Sequence, residues 1–462
     1  MLVRDFRRLL PWALPLFIVV VVFIKYSGDD ESLLSLPFQD NHLANTYRTS
    51  NGGGRVMKTL PNNQVAITPY DGTEDWVFDK IYSVSTKDRK YFLVSFGEYE
   101  AINPNIIPHP QLNDTWVIVA MQQHSDVPDS VWFAELVCNA QFKKGALQCI
   151  KGAQILPIPA TFAPAEPQCT GNLKYFNMNI GPHDGRVFYG PRNPYTIYGS
   201  LSENSCFGQW IMDFRMLMDW GFEKPVVREN FKRPTDLRRP GPEGLIEKNW
   251  FLFWGFDEEI YIHYDIYPKR SFAKLDWKYD GSVGEDLAPV TAASDEKCIA
   301  KYFPKVAPQL ESIHQATNSL SITMCTRAQN CEINESNTFV FTVFQHKSYH
   351  QYHSVYTPYV MAFQQTPPFA MHAVSKRPFW IHGRGGPGKG KMPGLNPEDS
   401  RNWNQTEMFY ATSLSWKQQH MKYHGYLDDV LFIAFGIEDE RTGGIDVRAS
   451  DLVGKLGLCS EP

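Results

Sequence analysis

Short apolar or alternating runs, each bounded by Gly, Pro, Asn or Asp, recur along most of this chain, and this rhythm constrains the fold more than any other feature. Clear cases are Tyr91–Phe96, Thr115–Ala120, Val131–Val137, Trp250–Trp254, Ile260–Tyr264, Thr338–Phe344 and Val430–Phe435. Runs of this length, separated by turn residues, predict strands. Long stretches of helical periodicity are scarce, and Gln209 to Trp220 reads either way. The strands fall into five groups, about 88–150, 170–225, 240–285, 310–380 and 405–450. One four-stranded unit per group predicts an all-β fold, a five-bladed β-propeller. A two-sheet sandwich with large insertions is the rival architecture.

The N-terminus predicts a different environment. Arg4, Arg7 and Arg8 precede an uncharged apolar run from Leu9 to Ile24, which Lys25 ends. As a helix the run spans roughly 24 Å, short for a plasma membrane and closer to a thin early secretory membrane. No small-x-small cleavage site follows, so the run reads as a retained signal anchor rather than a cleaved signal peptide. Arginines before it and Asp29, Asp30 and Glu31 after it put residues 1–8 in the cytosol and the rest in the lumen. The expected order is a cytosolic tail (1–8), a single N-terminal transmembrane helix (9–25), a polar stem (26–75) rich in Ser, Asn and Gly, and a lumenal β-propeller domain (76–462). A Golgi or other secretory-pathway membrane fits this layout. All eight Cys lie beyond the anchor, without a CxxC pair; in a lumenal chain this predicts disulfides rather than a zinc site. Sequons begin at Asn113, Asn334 and Asn404 and mark glycosylation sites there. A net charge of -5 gives no support for a nucleic-acid partner.

The stretch Asn179 to Phe188 carries the chemistry. It holds a Gly-Pro turn, then Asp184 and Arg186, then an apolar run. Positions i and i+2 of a strand point to one side, so a carboxylate and a guanidinium are expected to share a pocket. The plain alternative is a surface turn in which Asp184 caps the loop. His382 to Lys391 is Gly-rich but lacks the strand–GxxxxGK[ST]–helix context, and reads as a connecting loop whose Arg384, Lys389 and Lys391 attract phosphate. Asp428 and Asp429 form an acidic pair: either a divalent-metal site for a donor diphosphate or a turn into a strand. Adjacent strand residues face opposite sides, so only Asp429 is retained. Glu438-Asp439 precedes Arg441; one of them holds a sugar hydroxyl or pairs with that arginine.

Gly181-Pro-His-Asp-Gly-Arg-Val-Phe188 resembles the Gly-x-Glu-Asp-Pro-Arg signature of the five-bladed propellers of β-mannoside phosphorylases and hydrolases, and the related segment of fungal β-1,2-mannosyltransferases. Further segments resemble that family in order: Asn103-Pro-Asn-Ile-Ile107, Glu247-Lys-Asn-Trp250, Ile262–Pro268, Phe344-Gln-His-Lys347, Tyr423–Asp429 and Ala434–Asp439. The similarity covers roughly residues 90–450. Two positions depart from the signature: His183 stands where the family has Glu, and Gly185 where it has Pro. The resemblance implies that Asp184 handles the proton. It implies that Arg186, Lys248 and His346 hold an anionic donor, and that Asn249, Asp429 and Asp439 contact substrate. Trp250 reads as core rather than a stacking platform.

The implied activity is an inverting β-mannosyltransferase that uses GDP-mannose on a mannoside or glycan acceptor. No cofactor is implied beyond an optional divalent metal. The alternatives are a β-mannoside phosphorylase or hydrolase of the same fold, from which the loss of the signature Glu at His183 detracts, and a non-catalytic glycan-binding propeller.

Overall fold

A computed structural model describes residues 57–59, 64–67, 76–123, 133–161, 169–178, 181–218, 230–307, 309–350, 353–391 and 403–460. The expected cytosolic tail, signal anchor and most of the stem lie outside them. Among the described residues no helix is long and apolar enough to cross a membrane.

The described chain is all-β apart from two α-helices and short 3-10 turns. Four antiparallel strands build the first sheet: Ala101–Pro108, Trp116–Gln122, Glu135–Lys143 and Ala146–Cys149. His183–Tyr189, Pro194–Ser200, Gly208–Asp213 and Thr235–Asp236 make the second. The third is Phe251–Trp254, Ile260–Asp265 and Ser271–Lys274. In the fourth, Glu311–Gln315 and Leu320–Thr323 both pair with the long strand Thr338–His350, followed by His353–Gln364 and Met371–Ser375. The fifth runs Phe409–Trp416, Val430–Ile437, Arg441–Arg448. Most strands of each sheet fall within one of the five groups expected from the sequence, but Thr235–Asp236 of the second lies beyond its group, and the fourth also takes His424–Tyr426 and Leu456–Leu458 from the end of the chain. The ambiguous Gln209 stretch continues the strand Gly208–Asp213 and then forms a 3-10 turn, Phe214–Met216, capped by Asp213, whose carboxylate accepts the Arg215 N–H at 3.0 Å.

Phe92–Ser95, early in the chain, joins the last sheet antiparallel to Arg441–Arg448 and also runs parallel to Ala146–Cys149 of the first. One continuous nine-stranded sheet therefore joins the first and fifth sheets. The closure is tied by side chains too. Asp446 of the last sheet accepts from Ser83, Ser85 and Lys417. A further small sheet places Met57–Thr59 and Gln64–Ile67 beside Trp76–Ile81 and Phe379–Ile381, so strand pairing begins within the segment expected as stem.

Neighbouring sheets cover one another, so Ile106, Val117, Ile118, Val119 and Ala120 are buried on both faces of their strands. Against Met371–Ser375 of the fourth sheet lies the helix Ala292–Tyr302, which strand alternation did not mark; its Ala, Glu and Lys content favours a helix. Asp295 on this helix accepts from Arg270 Nη1 at 2.9 Å, from Thr291 Oγ1 at 2.8 Å and from the Met371 N–H at 2.9 Å. Arg270 Nε donates to His263 Nε2 at 3.1 Å. Burial, then the Arg270 charge, hold His263 well below the usual histidine range. It is therefore neutral, with its proton on Nδ1, facing Gln315 Oε1 at 2.8 Å. Gln315 Nε2 in turn donates to the Asn249 carbonyl at 3.1 Å. A buried polar chain thus runs from the helix to Asn249.

All eight cysteines form disulfides, as expected: Cys138–Cys149, Cys169–Cys206, Cys298–Cys459 and Cys325–Cys331. Asn113 and Asn334 sit exposed, whereas Asn404 is half-buried.

Candidate active site

Asp184 and Gly185 form a bulge. The pairing of His183–Tyr189 with its neighbour shifts between His183 and Arg186, and Asp184 has a φ of 50°. A non-glycine residue held in the left-handed region costs on the order of 1 kcal/mol and persists only where its surroundings fix it. Three side chains of the first sheet do so. Asn103 Nδ2 donates to Asp184 Oδ1 at 2.7 Å, Asn105 Nδ2 to the Gly185 carbonyl at 2.7 Å, and Glu135 Oε1 accepts the Gly185 N–H at 2.8 Å. Asn105 Oδ1 also accepts the Val187 N–H at 3.1 Å. Asn103 itself sits in a bulge with a φ of 55°.

Left-handed backbone recurs at Asn249, φ 64°, directly before the third sheet, and at Asp439, φ 50°, in the turn between the last two strands of the fifth. Tyr410 connects these positions. Its hydroxyl donates to Asn249 Oδ1 at 3.3 Å, the Arg186 guanidinium lies 5.7 Å from its ring centre, and the Tyr356 ring meets it edge-on at 4.8 Å. Lys347 Nζ is 5.9 Å from the Tyr356 ring centre. Burial first, then Arg186 and Asp184 in opposite senses, act on the Tyr410 hydroxyl, with a net rise. Solvent reaches the Asp439 carboxyl, yet protein encloses most of it; this burial, then repulsion from Asp184, pushes it up to about 6. Lys347 and Lys391 oppose that rise. Two carboxyls, two tyrosines and two close cations, from the second, fourth and fifth sheets, therefore act on one another.

The expectation that Asp184 and Arg186 share a side by strand alternation needs correcting, because the bulge breaks the alternation between them. Asp184 is exposed and Arg186 buried, and Tyr410 is what brings both into one cluster. Arg186 Nη1 and Asn103 Oδ1 are both buried without a hydrogen-bond partner. Such atoms are rare in folded proteins and call for an explanation; a ligand's acceptor and hydroxyl groups would satisfy them.

Of the other expected residues, Asn249 and Asp439 belong to this cluster, and Lys248, half-buried, directly precedes Asn249. His346 is turned elsewhere: it is buried, with Nε2 3.1 Å from Glu311 Oε2. Neighbouring strand residues face opposite sides, and Lys347, paired across the ladder with Tyr356, takes the site-facing side. Asp429 is a structural residue. Arg327 grips both its oxygens at 2.9 and 2.8 Å, and the Tyr426 N–H occupies Oδ2 as well. Asp428 accepts the Arg327 N–H, so this pair is spent on its turn. Among the described residues no group of three His, Cys, Asp or Glu is placed to hold a metal ion. Arg441 pairs with Glu407 rather than with Glu438 or Asp439. Arg384 of the Gly-rich loop is buried, bonded to the Glu407 and Tyr356 carbonyls, and Lys391 pairs with Glu440. Trp250 is core, edge-on to Tyr264.

Sequence reading missed Asn103, Tyr356, Tyr410, Lys347 and Glu135 as site residues. The Asn103-Pro-Asn segment was a usable signal for the first of them.

Glu135 is fully buried, and this pushes its carboxyl from 4.5 up to about 8; the Gly185 N–H and Arg186 act against the rise and Asp184 adds to it. The titratable and charged groups facing it are Asp184 and Arg186. A carboxyl raised on folding contributes stability that is full below its unfolded value and is lost as pH rises through the folded one. Wild-type stability is therefore expected to fall between pH 4.5 and pH 8 on account of this group. Urea midpoints at the two ends of that window should lie closer together in Glu135→Gln than in wild type.

No family model matches the chain, and no curated protein does. Among solved structures it is similar to the β-1,2-mannobiose phosphorylase of Listeria innocua: 10% identity, TM-score 0.40, covering 81% of this chain and 96% of that one. It is also similar to a glycosyl hydrolase from Bacteroides ovatus, with 9% identity, TM-score 0.39 and coverage of 82% and 94%. A third is MPT-1, a GDP-Man-dependent mannosyltransferase from Leishmania mexicana, with 8% identity, TM-score 0.38 and coverage of 77% and 89%. These neighbours are carbohydrate-active enzymes. Likeness at this level carries no argument about the activity of the present chain.

Proposed function

We propose that this chain is a carbohydrate-active enzyme built on a five-bladed propeller, and that it is an inverting β-mannosyltransferase using GDP-mannose. The observation that carries this reading is the Asp184 carboxylate, held in a left-handed bulge by Asn103, and sharing Tyr410 with an Arg186 guanidinium that has a buried, unpartnered Nη1. Mannose as the sugar comes from the resemblance of the Gly181–Phe188 segment.

Asp184 takes the proton of the acceptor hydroxyl as its oxygen bonds to C1 of mannose. The C1–O bond to the diphosphate breaks on the opposite face, which inverts the anomeric centre. Its electron pair leaves with GDP, and Arg186 and Lys347 meet the charge that develops there. Asp184 then releases its proton to solvent. Asn249, Tyr410 and Asp439 supply polar contacts for sugar hydroxyls. Residues 9–25 anchor the chain in a secretory-pathway membrane with the catalytic domain in the lumen. Four disulfides and exposed sequon asparagines at 113 and 334 support that placement.

One observation favours a second reading. Asp439 is a second carboxyl, raised to about 6 and within electrostatic reach of Asp184. A pair of carboxyls also serves inverting glycoside hydrolysis. The test is to incubate the full chain with a nucleotide-sugar panel and, separately, with β-mannosides with and without phosphate. Mannosyl transfer from GDP-mannose is expected; release of mannose or mannose 1-phosphate from a β-mannoside, without use of any nucleotide-sugar, supports the second reading. Arg186→Lys keeps the charge but loses the planar fork, and should lower kcat/KM for GDP-mannose by about ten- to a hundredfold. Initial rates at varied donor concentration measure this.

A further inference from the structure

Glu135 touches no substrate in the mechanism above, yet it is fully buried and carries a polar contact to the bulge that holds Asp184. We infer that Glu135 is a positioning residue that aims Asp184 by holding the Gly185 N–H. This rests on Asp184 being the base, as proposed above.

The ladder explains why such a residue is needed. His183 pairs with Gly199 and Arg186 with Ile197, which leaves Asp184 and Gly185 together opposite Tyr198. The Gly185 N–H thus has no partner strand, and Glu135 Oε1 takes it at 2.8 Å. That N–H lies in the same peptide plane as the Asp184 carbonyl. Fixing the plane fixes ψ of Asp184, and so the direction in which its side chain leaves the backbone. Asn105 holds the Gly185 carbonyl at 2.7 Å, so two side chains of the first sheet clamp this glycine from both ends.

Packing makes the contact specific. A Cβ on residue 185 would lie 2.8 Å from Glu135 Cδ and 3.0 Å from Oε1, so the carboxyl fills the space a larger residue would need. The signature that this segment resembles carries proline at the same position, and proline has no N–H to donate. Gly185 supplies both the donor and the room, which makes its departure from that signature and the buried Glu135 two halves of one device. Burial keeps the carboxyl largely protonated at neutral pH, so a glutamine amide reproduces both its shape and its acceptor oxygen.

The test compares Glu135→Gln with Glu135→Met in the full chain, reading kcat and KM for GDP-mannose together with amide hydrogen exchange of the peptide containing Gly185. Glu135→Gln should keep kcat within about threefold, whereas Glu135→Met should lower it about thirtyfold or more with KM changed less than about threefold, because only the aim of the base is lost. Exchange at Gly185 should be slow in wild type and Glu135→Gln and fast in Glu135→Met. Equal kcat in all three proteins, or equal losses in both variants, overturns the inference. If no donor is turned over by wild type, the transferase reading fails, and exchange alone decides this inference. Should Glu135→Met not fold, fast exchange of Gly185 in the wild-type protein overturns it and slow exchange supports it.

Discussion

Asp184→Asn should leave the protein folded and donor binding within a few-fold of wild type, while mannosyl transfer falls about a thousandfold, within the range a positioned general base supplies. Asparagine keeps the size and one carbonyl oxygen of the carboxylate, so it can still accept the 2.7 Å hydrogen bond from Asn103 Nδ2. Its side chain tolerates the left-handed backbone that residue 184 adopts at φ 50°. Geometry is thus preserved and only the ability to take a proton is lost. Loss of a transition-state contact alone lowers kcat and kcat/KM together, so KM should stay nearly constant. Steady-state rates and a thermal melt of the same preparation check both halves. Near-wild-type transfer would remove the base from the mechanism.

Asp295→Ala should be the most damaging single change to stability, by about 3–5 kcal/mol, because it leaves the Arg270 charge buried and uncompensated. Both partners of this pair are almost wholly shielded, with side-chain exposures of 1% and 3%. The same aspartate accepts from Thr291 and from the Met371 backbone, so the Met371 N–H is orphaned too. Replacing the pair together, Arg270→Met with Asp295→Leu, removes both buried charges at once and should recover much of the loss. Chemical denaturation of the single and double variants measures this. The double variant also tests the link to the site. Without Arg270, His263 and Gln315 lose one support, and Gln315 is what holds the Asn249 carbonyl.

The parts of the fold legible in the sequence are those set by local pattern. Strand alternation marked most of the strands, though not how the sheets join, since the first and fifth groups share one sheet, and the even cysteine count anticipated full pairing. The site was legible where a residue type is unusual in its setting. Asp184 and Arg186 stood out against a Gly-Pro turn, and Asn249 and Asp439 followed from segment resemblance. What stayed hidden depends on contacts between sheets. Tyr356 and Tyr410 belong to no motif, and only the approach of the fourth and fifth sheets turns them toward Asp184 and Asp439. His346 and Lys347 show how narrow the margin is. Side-chain direction alternates with every residue, so one step along Thr338–His350 separates a histidine paired with Glu311 from a lysine at the site. Glu135 hid inside an apolar run because a buried carboxyl looks like an interruption until its partner, the Gly185 N–H, is seen. Asp429 misled in the opposite way: two adjacent acids suggest a cation site, but the cation they meet is Arg327 of the same fold.

One base on one face and a charged leaving group on the other dictate the configuration of the product. The most direct measurement is therefore the proton NMR spectrum of the initial product formed by the full chain from GDP-mannose and a mannoside acceptor. A new anomeric signal of β configuration, absent with Asp184→Asn, is the predicted result. An α-configured product, or the same β product from the Asp184→Asn protein at an undiminished rate, would contradict it.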